Sequence, residues 1–226
     1  MFMPHLQTNG SKAKLAKDRA HALELVPVSR EIAAKLDQFV ALLLQWQSKI
    51  NLIAPSTNQS IWTRHIADSL QLLNLAPKKN RWVDLGSGAG FPGLAIAAAL
   101  AAGEGAEVHL VESNAKKAAF LREAARHIGA PAIIHAVRIE EFAQTFRGPV
   151  DVVCARALAP LETLLAMAHP LLKKGAQGLF PKGQDVDAEL TRASKYWTIE
   201  AQLVPSKTDP RSRVVVVRAL RRRADA

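Results

Sequence analysis

The segment at residues 83–93, VDLGSGAGFPG, constrains the fold of this chain more than any other segment. Apolar residues begin it in the manner of a buried strand, four glycines follow, and an apolar, alanine-rich stretch comes next. A strand, a glycine-rich turn and a helix form a nucleotide-sized pocket at the carboxyl end of a parallel sheet. Glycine suits this turn because it adopts positive φ and lets a ligand approach the backbone.

Two ligands fit this turn. Gly88, Gly90 and Gly93 match the G-x-G-x-x-G pattern, in which a pyrophosphate lies on the helix N-terminus. The pattern D-x-G-x-G-x-G, formed by Asp84, Gly86, Gly88 and Gly90, favours another ligand, because a fixed carboxylate repels a pyrophosphate and attracts positive charge. S-adenosylmethionine carries a sulfonium and an ammonium and has no phosphate, so it is the favoured cofactor. A dinucleotide and a purely structural turn remain the alternatives.

The rest of the chain predicts an α/β fold with a doubly wound, mostly parallel sheet of seven strands and helices on both faces. Strands are predicted at 81–85, 107–112, 132–136, 150–155, 175–181, 197–205 and 213–220. Helices are predicted between them at 93–102, 114–128, 161–172 and 185–195. Only a short loop separates the last two strands, so we expect an antiparallel hairpin at the sheet edge.

The residues before the first strand predict a helical cap. Ser29 can cap a helix whose apolar residues recur at helical spacing through Leu44, and residues 58–75 form a second helical region. We therefore divide the chain into a basic, flexible arm at 1–28, a cap at 29–77 and a Rossmann-like domain at 78–226.

Composition narrows the class of partner. The net charge is +10, which fits a polyanion such as nucleic acid, although general surface basicity is the simpler alternative. The single cysteine, Cys154, rules out an internal disulfide and indicates a reducing compartment. Residues 1–20 do not read as a signal peptide, and no apolar run is long enough for a membrane span, so we expect a cytoplasmic protein.

Six short motifs in order resemble one family over residues 37–217. They are WQSKINL at 46–52, RHIADS at 64–69, the glycine turn at 83–93, RIEEF at 138–142, RA at 156–157 and KG at 182–183. Together they are similar to the bacterial small-subunit ribosomal RNA guanine-N7 methyltransferases, called RsmG or glucose-inhibited division protein B. Ile50 stands where that family often has an aromatic residue.

The resemblance implies a class I methyltransferase that transfers a methyl group from S-adenosylmethionine to N7 of one guanine in 16S ribosomal RNA. Because N7 has a free in-plane lone pair, the chemistry needs no general base and no metal, and catalysis rests on positioning. The expected partner is 16S ribosomal RNA or the small subunit, and we expect a monomer. The alternatives are a methyltransferase for another RNA, a protein or a small molecule, and a non-catalytic RNA-binding module.

The cofactor residues follow from the turn, the strand ends and the resemblance. We expect the cofactor to lie against the backbone of Gly86, Gly88 and Gly90. We expect Asp84 to bind the methionine ammonium, directly or through water, or to tie down the turn, or both, and Glu112 to bind the ribose hydroxyls. The resemblance implies cofactor contacts by Gly86 and Phe91, and by Ile139 and Glu140 in a loop over the adenine. It also makes Arg156 a contact for the methionine carboxylate or an RNA phosphate. For Phe91 a plain core position, and for Arg156 a structural salt bridge, are the alternatives.

The expected RNA-handling residues lie outside the turn. Arg64, His65 and Asp68 could face the pocket, with Asp68 stabilising the cationic methylated base. Alternatively, Arg64 and Asp68 form an ordinary helical ion pair, since they are four residues apart. Lys182, after the fifth strand, is expected at the pocket rim, where it would contact phosphate or the guanine.

Overall fold

The structure, a computed structural model, describes residues 9–223 and has one seven-stranded sheet at its centre. Its strands are β1 (Arg81–Leu85), β2 (Glu107–Val111), β3 (Ala132–His135), β4 (Val152–Cys154), β5 (Gln177–Lys182), β6 (Trp197–Pro205) and β7 (Arg213–Arg222). The strand order is β3-β2-β1-β4-β5-β7-β6, and β7 runs antiparallel to both neighbours. The predicted α/β fold, with its antiparallel hairpin at the edge, is confirmed.

Helices cover both faces of this sheet. The cap contains α1 (Asn9–Leu25), α2 (Arg30–Gln47) and the short α3 (Asp68–Leu70), and the sheet helices are α4 (Gly93–Leu100), α5 (Ala115–His127), α6 (Ile139–Thr145), α7 (Leu161–Leu172) and α8 (Val186–Ala193). Within residues 9–223, no helix has both the length and the apolar character needed to cross a membrane.

The cap shares its apolar core with one face of the sheet. Leu36 and Phe39 of α2 are fully buried in the same cluster as Leu94 of α4 and Phe120 of α5. A second cluster on the opposite face holds the apolar sides of α6, α7 and α8. Because one continuous core joins the cap to the sheet, cap side chains form a wall of any cavity between them. The division into a cap at 29–77 and a Rossmann-like domain at 78–226 remains a prediction.

The first cap helices differ in how well the sequence predicted them. Helix α2 begins as expected, because the Ser29 hydroxyl accepts a hydrogen bond from the Ile32 backbone N–H at 3.2 Å. The expected flexible arm is wrong for residues 9–25, which form α1. Its Ala22 is buried, and its Asp18 accepts a hydrogen bond from the Trp62 backbone N–H at 2.8 Å. The expectation for residues 1–8 lies outside the described residues.

The second cap segment is helical but not one regular helix. It consists of a 3₁₀ helix (Pro55–Ser60), a π-helical segment (Trp62–Ala67), the short α3 and a final 3₁₀ helix (Gln71–Leu75). The wider π turn changes which residues share a face, so i,i+4 neighbours of an α-helix no longer align there.

We predict that replacing Gly90 by alanine destabilises the fold more than the same change at Gly175. Both glycines have positive φ, +92° and +96°, so backbone strain is common to both variants. A Cβ at Gly90 would lie 2.9 Å from the Leu94 Cβ, whereas nothing lies within 4 Å at Gly175. Crowding should add about 1–3 kcal/mol to the loss in unfolding free energy for Gly90→Ala. Denaturant unfolding measures the difference, and equal losses would contradict the crowded geometry.

Candidate active site

The strand register brings three chain segments to one edge of the sheet. Leu85 of β1 lies beside Val111 of β2, and Asp84 lies beside Cys154 of β4. The turns after β1, β2 and β4 therefore meet where the chain order reverses across β1, the usual ligand position in such sheets. A cavity of about 530 Å³ lies there, between this edge and the cap.

The glycine turn forms one wall of this cavity. The backbone N–H of Gly86 donates to the Val111 carbonyl at 2.9 Å, and Gly86 has a φ of +72°. A Cβ at Gly86 would lie 2.6 Å from the Leu158 Cδ1, so any side chain there would require Leu158 to move. Gly88 also has positive φ, and both glycines line the cavity. At these two positions the turn presents backbone to a ligand.

Asp84 lies beneath the turn and not in the cavity. Its side chain is fully buried, and its Oδ2 accepts a hydrogen bond from the Gly93 backbone N–H at 2.9 Å. Burial raises the Asp84 pKa to about 7, and the bond from Gly93 opposes this rise. Neither Asp84 nor Gly90 is among the residues that line the cavity. Asp84 therefore ties down the turn, which was the alternative to a direct ammonium contact.

Glu112 follows β2 and closes the cavity on the side of the glycine turn. Its Oε2 accepts from the Gly88 backbone N–H at 3.0 Å, and its Oε1 accepts from the Asn114 backbone N–H at 2.7 Å. The half-buried carboxylate lines the cavity. Each oxygen can accept a further hydrogen bond, because a carboxylate has about four lone-pair sites.

Ile139 and Glu140 line the same cavity from the far side of β2. The expected loop is wrong here, since both residues are the first residues of α6. The helix forms because Phe142 and Ala143 are buried in the core of the α7–α8 face. The contact with the cavity therefore comes from a helix end of fixed position.

Arg156, just after β4, connects the sheet to the cap. Its Nη1 donates to the Arg64 carbonyl at 2.8 Å and lies 3.4 Å from the Asp68 Oδ2. Its Nη2 lies 2.6 Å from the His65 Nδ1, and its guanidinium carbon lies 5.4 Å from the centre of the Phe91 ring. Because the side chain is only 17% exposed, these partners compensate a charge largely removed from water.

The contact with Arg156 determines the tautomer of His65. A guanidinium has no acceptor, so the His65 Nδ1 must accept and the ring proton must lie on Nε2, which is 3.0 Å from the Thr57 Oγ1. Burial first, then the charges of Arg156 and Arg64, lower the His65 pKa to about 3. A neutral imidazole therefore lines the cavity, stacked on Phe91 with ring centres 5.0 Å apart.

Phe91 serves both the core and the cavity wall. It is only 4% exposed and also lies 5.2 Å from the Phe39 ring. Phe91 therefore packs in the core, which was the alternative prediction, and also lines the cavity.

The other predicted RNA-handling residues do not line the cavity. Arg64 pairs with Asp209 at 3.9 Å, while Asp68 pairs with Arg156, so the alternative of an Arg64–Asp68 ion pair is wrong. The π-helical turn between them explains the different partners. Asp68 also accepts a hydrogen bond from the Thr208 Oγ1 at 2.9 Å. Asp68 therefore holds Arg156 in place from inside the protein.

Lys182 is likewise held away from the cavity. Its Nζ lies 2.6 Å from the Glu189 Oε2 and donates to the Ala159 carbonyl at 2.9 Å. The expected position at the pocket rim is therefore wrong, because Lys182 instead fixes the loop after β4 to α8.

Sequence reasoning missed several residues of the cavity wall. They are Leu52, Ile53, Lys117, Arg138, Leu158 and Met167. Leu52 ends the WQSKINL motif and Arg138 begins RIEEF, so both motifs carried a signal. Met167 lies within α7, where an apolar spacing gives no sign of a cavity.

We predict that His65→Gln flattens the acid dependence of stability. The folded pKa of about 3 lies below the ordinary 6.5, so the unfolded chain binds the proton first. His65 therefore lowers the free energy of unfolding as the pH falls from 6.5 towards 3, by up to about 1.4 kcal/mol per pH unit. Asp84 has the opposite effect but is present in both proteins. Denaturant unfolding between pH 7 and 4 measures both slopes, and identical slopes would rule out a buried neutral His65.

Comparison with known proteins identifies the family of this chain. Residues 32–216 match the family described as rRNA small subunit methyltransferase G, GidB. A protein of that name from Bradyrhizobium sp. (strain ORS 278) is 56% identical over 214 residues, covering 95% of this chain and 96% of the relative. One from Nitrobacter hamburgensis is 57% identical over 208 residues, covering 92% of this chain and 80% of the relative.

Solved structures support the fold alone. An O-methyltransferase from Bacillus cereus in complex with SAH has a TM-score of 0.59 at 13% identity, covering 92% of this chain and all of that one. Cofactor-bound Rv0187 from MTB has a TM-score of 0.56 at 17% identity, covering 94% of this chain and 98% of that one. The family match spans most of α2, the second cap segment, the glycine turn, Glu112 and Arg156. The chain therefore belongs to the rRNA small subunit methyltransferase G family.

Proposed function

We propose that this protein transfers a methyl group from S-adenosylmethionine to N7 of one guanine in 16S ribosomal RNA. The observation that carries the proposal is the family match over residues 32–216, because this match includes every segment that forms the cavity wall named above. The net charge of +10 agrees with an RNA substrate.

The cavity has the size and the groups that this cofactor requires. A volume of about 530 Å³ falls within the range of small-ligand sites. We assign the ribose hydroxyls to Glu112 and the adenine to the start of α6 at Ile139 and Glu140. Gly86 and Gly88 would lie against the cofactor through their backbones. S-adenosylmethionine, when bound, supplies the methyl group as part of a sulfonium.

Arg156 would bind the methionine carboxylate of the cofactor. A guanidinium has five N–H donors, and the protein contacts of Arg156 use three of them. Asp68 and Thr208 act on this contact indirectly, because they hold Arg156 from behind. We therefore reassign Asp68 from the guanine to the positioning of Arg156.

His65 provides a neutral surface on the side of the cap. Methylation at N7 makes the guanine cationic, and a protonated imidazole beside it would oppose the reaction. The bond from Arg156 and the burial of the ring keep His65 neutral at pH 7. We propose that His65 and the other cap residues of the wall position the base, so that catalysis rests on alignment in a dry pocket.

The experiment that tests the function is methyl transfer from labelled cofactor to 16S ribosomal RNA, or to small subunits that lack the modification. We expect one labelled guanine, mapped by chain cleavage at N7-methylguanine. Label on another RNA or on a protein would assign a different substrate. Cofactor binding without any transfer would support the non-catalytic RNA-binding module. We further propose that the protein acts as a monomer in the cytoplasm, where the ribosome is assembled.

We predict that Glu112→Gln weakens S-adenosylmethionine binding about tenfold, a loss of ~1.4 kcal/mol. The amide keeps one acceptor oxygen for the turn but loses the charge that strengthens hydrogen bonds from the ribose hydroxyls. Glu141→Gln is the matched control, since Glu141 is an exposed carboxylate outside the cavity wall. Isothermal titration measures both affinities. Unchanged binding in Glu112→Gln, or tight binding of NAD by the unaltered protein, would contradict the assignment.

A further inference from the structure

A second concave surface, which we call the cap groove, lies on the cap between α1 and α2. Its volume is about 1410 Å³, larger than that of the cavity at the sheet edge. A bidentate pair between Arg19 and Asp37, with distances of 2.7 and 2.8 Å, bridges the two helices, and Arg19 lies over the Trp62 ring. These three side chains line the groove, so it is a built feature of the helix pair.

Apolar side chains form the walls of the cap groove. Leu15 and Ala16 line it from α1, and Ala41 and Leu44 line it from α2. All four are exposed or half-buried, although the opposite face of α2 is packed in the core. The groove therefore offers accessible apolar side chains to a ligand.

Polar groups in the cap groove match the remaining parts of a nucleotide. Lys12 and Lys49 are exposed at its lining, where they can contact phosphates. Gln45 and Asn51 bring exposed amides that can bond base edges. Because Arg19 and Asp37 neutralise each other, Lys12 and Lys49 leave the groove with positive charge.

The cap groove and the methyl-transfer cavity share one wall. This wall is the turn after α2, whose Asn51 and Pro55 line the groove while Leu52 and Ile53 line the cavity. Gln47 fixes the turn, since its side chain accepts from the backbone N–H groups of residues 52 and 53 at 2.9 and 3.0 Å. An RNA chain bound in the groove would therefore need to cross only this turn to place its next base in the cavity.

We propose that the cap groove binds the single-stranded RNA next to the target guanine. This inference rests on the proposed function and adds where the flanking nucleotides lie. The exposed lysines and the positive charge favour RNA over an apolar protein segment, which would leave them unpaired. Binding there aligns the guanine by holding its neighbouring nucleotides. Substitutions in the groove should therefore weaken the binding of RNA and leave the binding of the cofactor unchanged.

The first test is the double charge reversal Lys12→Glu/Lys49→Glu. We expect the KM for RNA to rise at least about tenfold, the salt dependence of KM to weaken, and the affinity for S-adenosylmethionine to stay unchanged. The matched control, Lys173→Glu/Lys195→Glu, makes the same change in net charge at exposed lysines next to α7 and α8. Equal KM values in the two double variants would overturn the proposal.

The second test fills the cap groove without changing its charge. Ala41→Leu adds a bulky side chain at an exposed position of the groove wall without an aromatic face on which a base could stack. We expect a higher KM for RNA, an unchanged cofactor affinity and an unchanged unfolding midpoint. An unchanged KM would assign the groove to something other than RNA.

The two proposals fail in different ways. If the unaltered protein binds cofactor but does not label 16S ribosomal RNA, the proposed function fails before any variant is compared. If it labels the RNA and both groove variants behave as the control, the function stands and the cap groove proposal fails.

Discussion

The buried guanidinium of Arg156 is the interaction on which the site depends. It leaves the sheet just after β4 and contacts Arg64, His65 and Asp68 of the cap and Phe91 of the glycine turn. Since an unpaired charge in this position would cost several kcal/mol, all of these partners must keep their places together. One side chain thereby fixes the distance between cap and sheet, determines the tautomer of His65 and shapes the cavity.

A second set of contacts holds this arrangement from outside. Thr208 bonds Asp68, and the Lys207 backbone N–H donates to the Gln71 Oε1 at 2.9 Å, so the loop between β6 and β7 holds the cap. Lys182 fixes the loop that carries Arg156 through its contact with the Ala159 carbonyl. Arg64 and Asp68 of RHIADS and Lys182 of KG thus contribute support, while His65 of RHIADS and the Arg156 guanidinium line the cavity itself.

Asp84 shows how a correct ligand assignment can rest on an incomplete physical reason. Its charge was expected to bind the cofactor's ammonium directly or through water, but the carboxylate is buried against the Gly93 backbone N–H. Side chains alternate along β1, so Val83 and Leu85 point to the α7–α8 face while Asp84 points towards α4. The assignment of the cofactor therefore rests on the family and on the cavity.

Local patterns were sufficient to predict the α/β class, the strands, the antiparallel edge hairpin and the position of the glycine turn, because alternating apolar segments and turn residues are local signals. They also placed Glu112 and Arg156 at strand ends, which the parallel register brings to one edge of the sheet. Helices α1 and α6 and the partners of Arg64, Asp68 and Lys182 were not predictable in this way. They depend on burial, on a π-helical turn and on contacts between residues as distant as Asp68 and Thr208, which leave no local pattern.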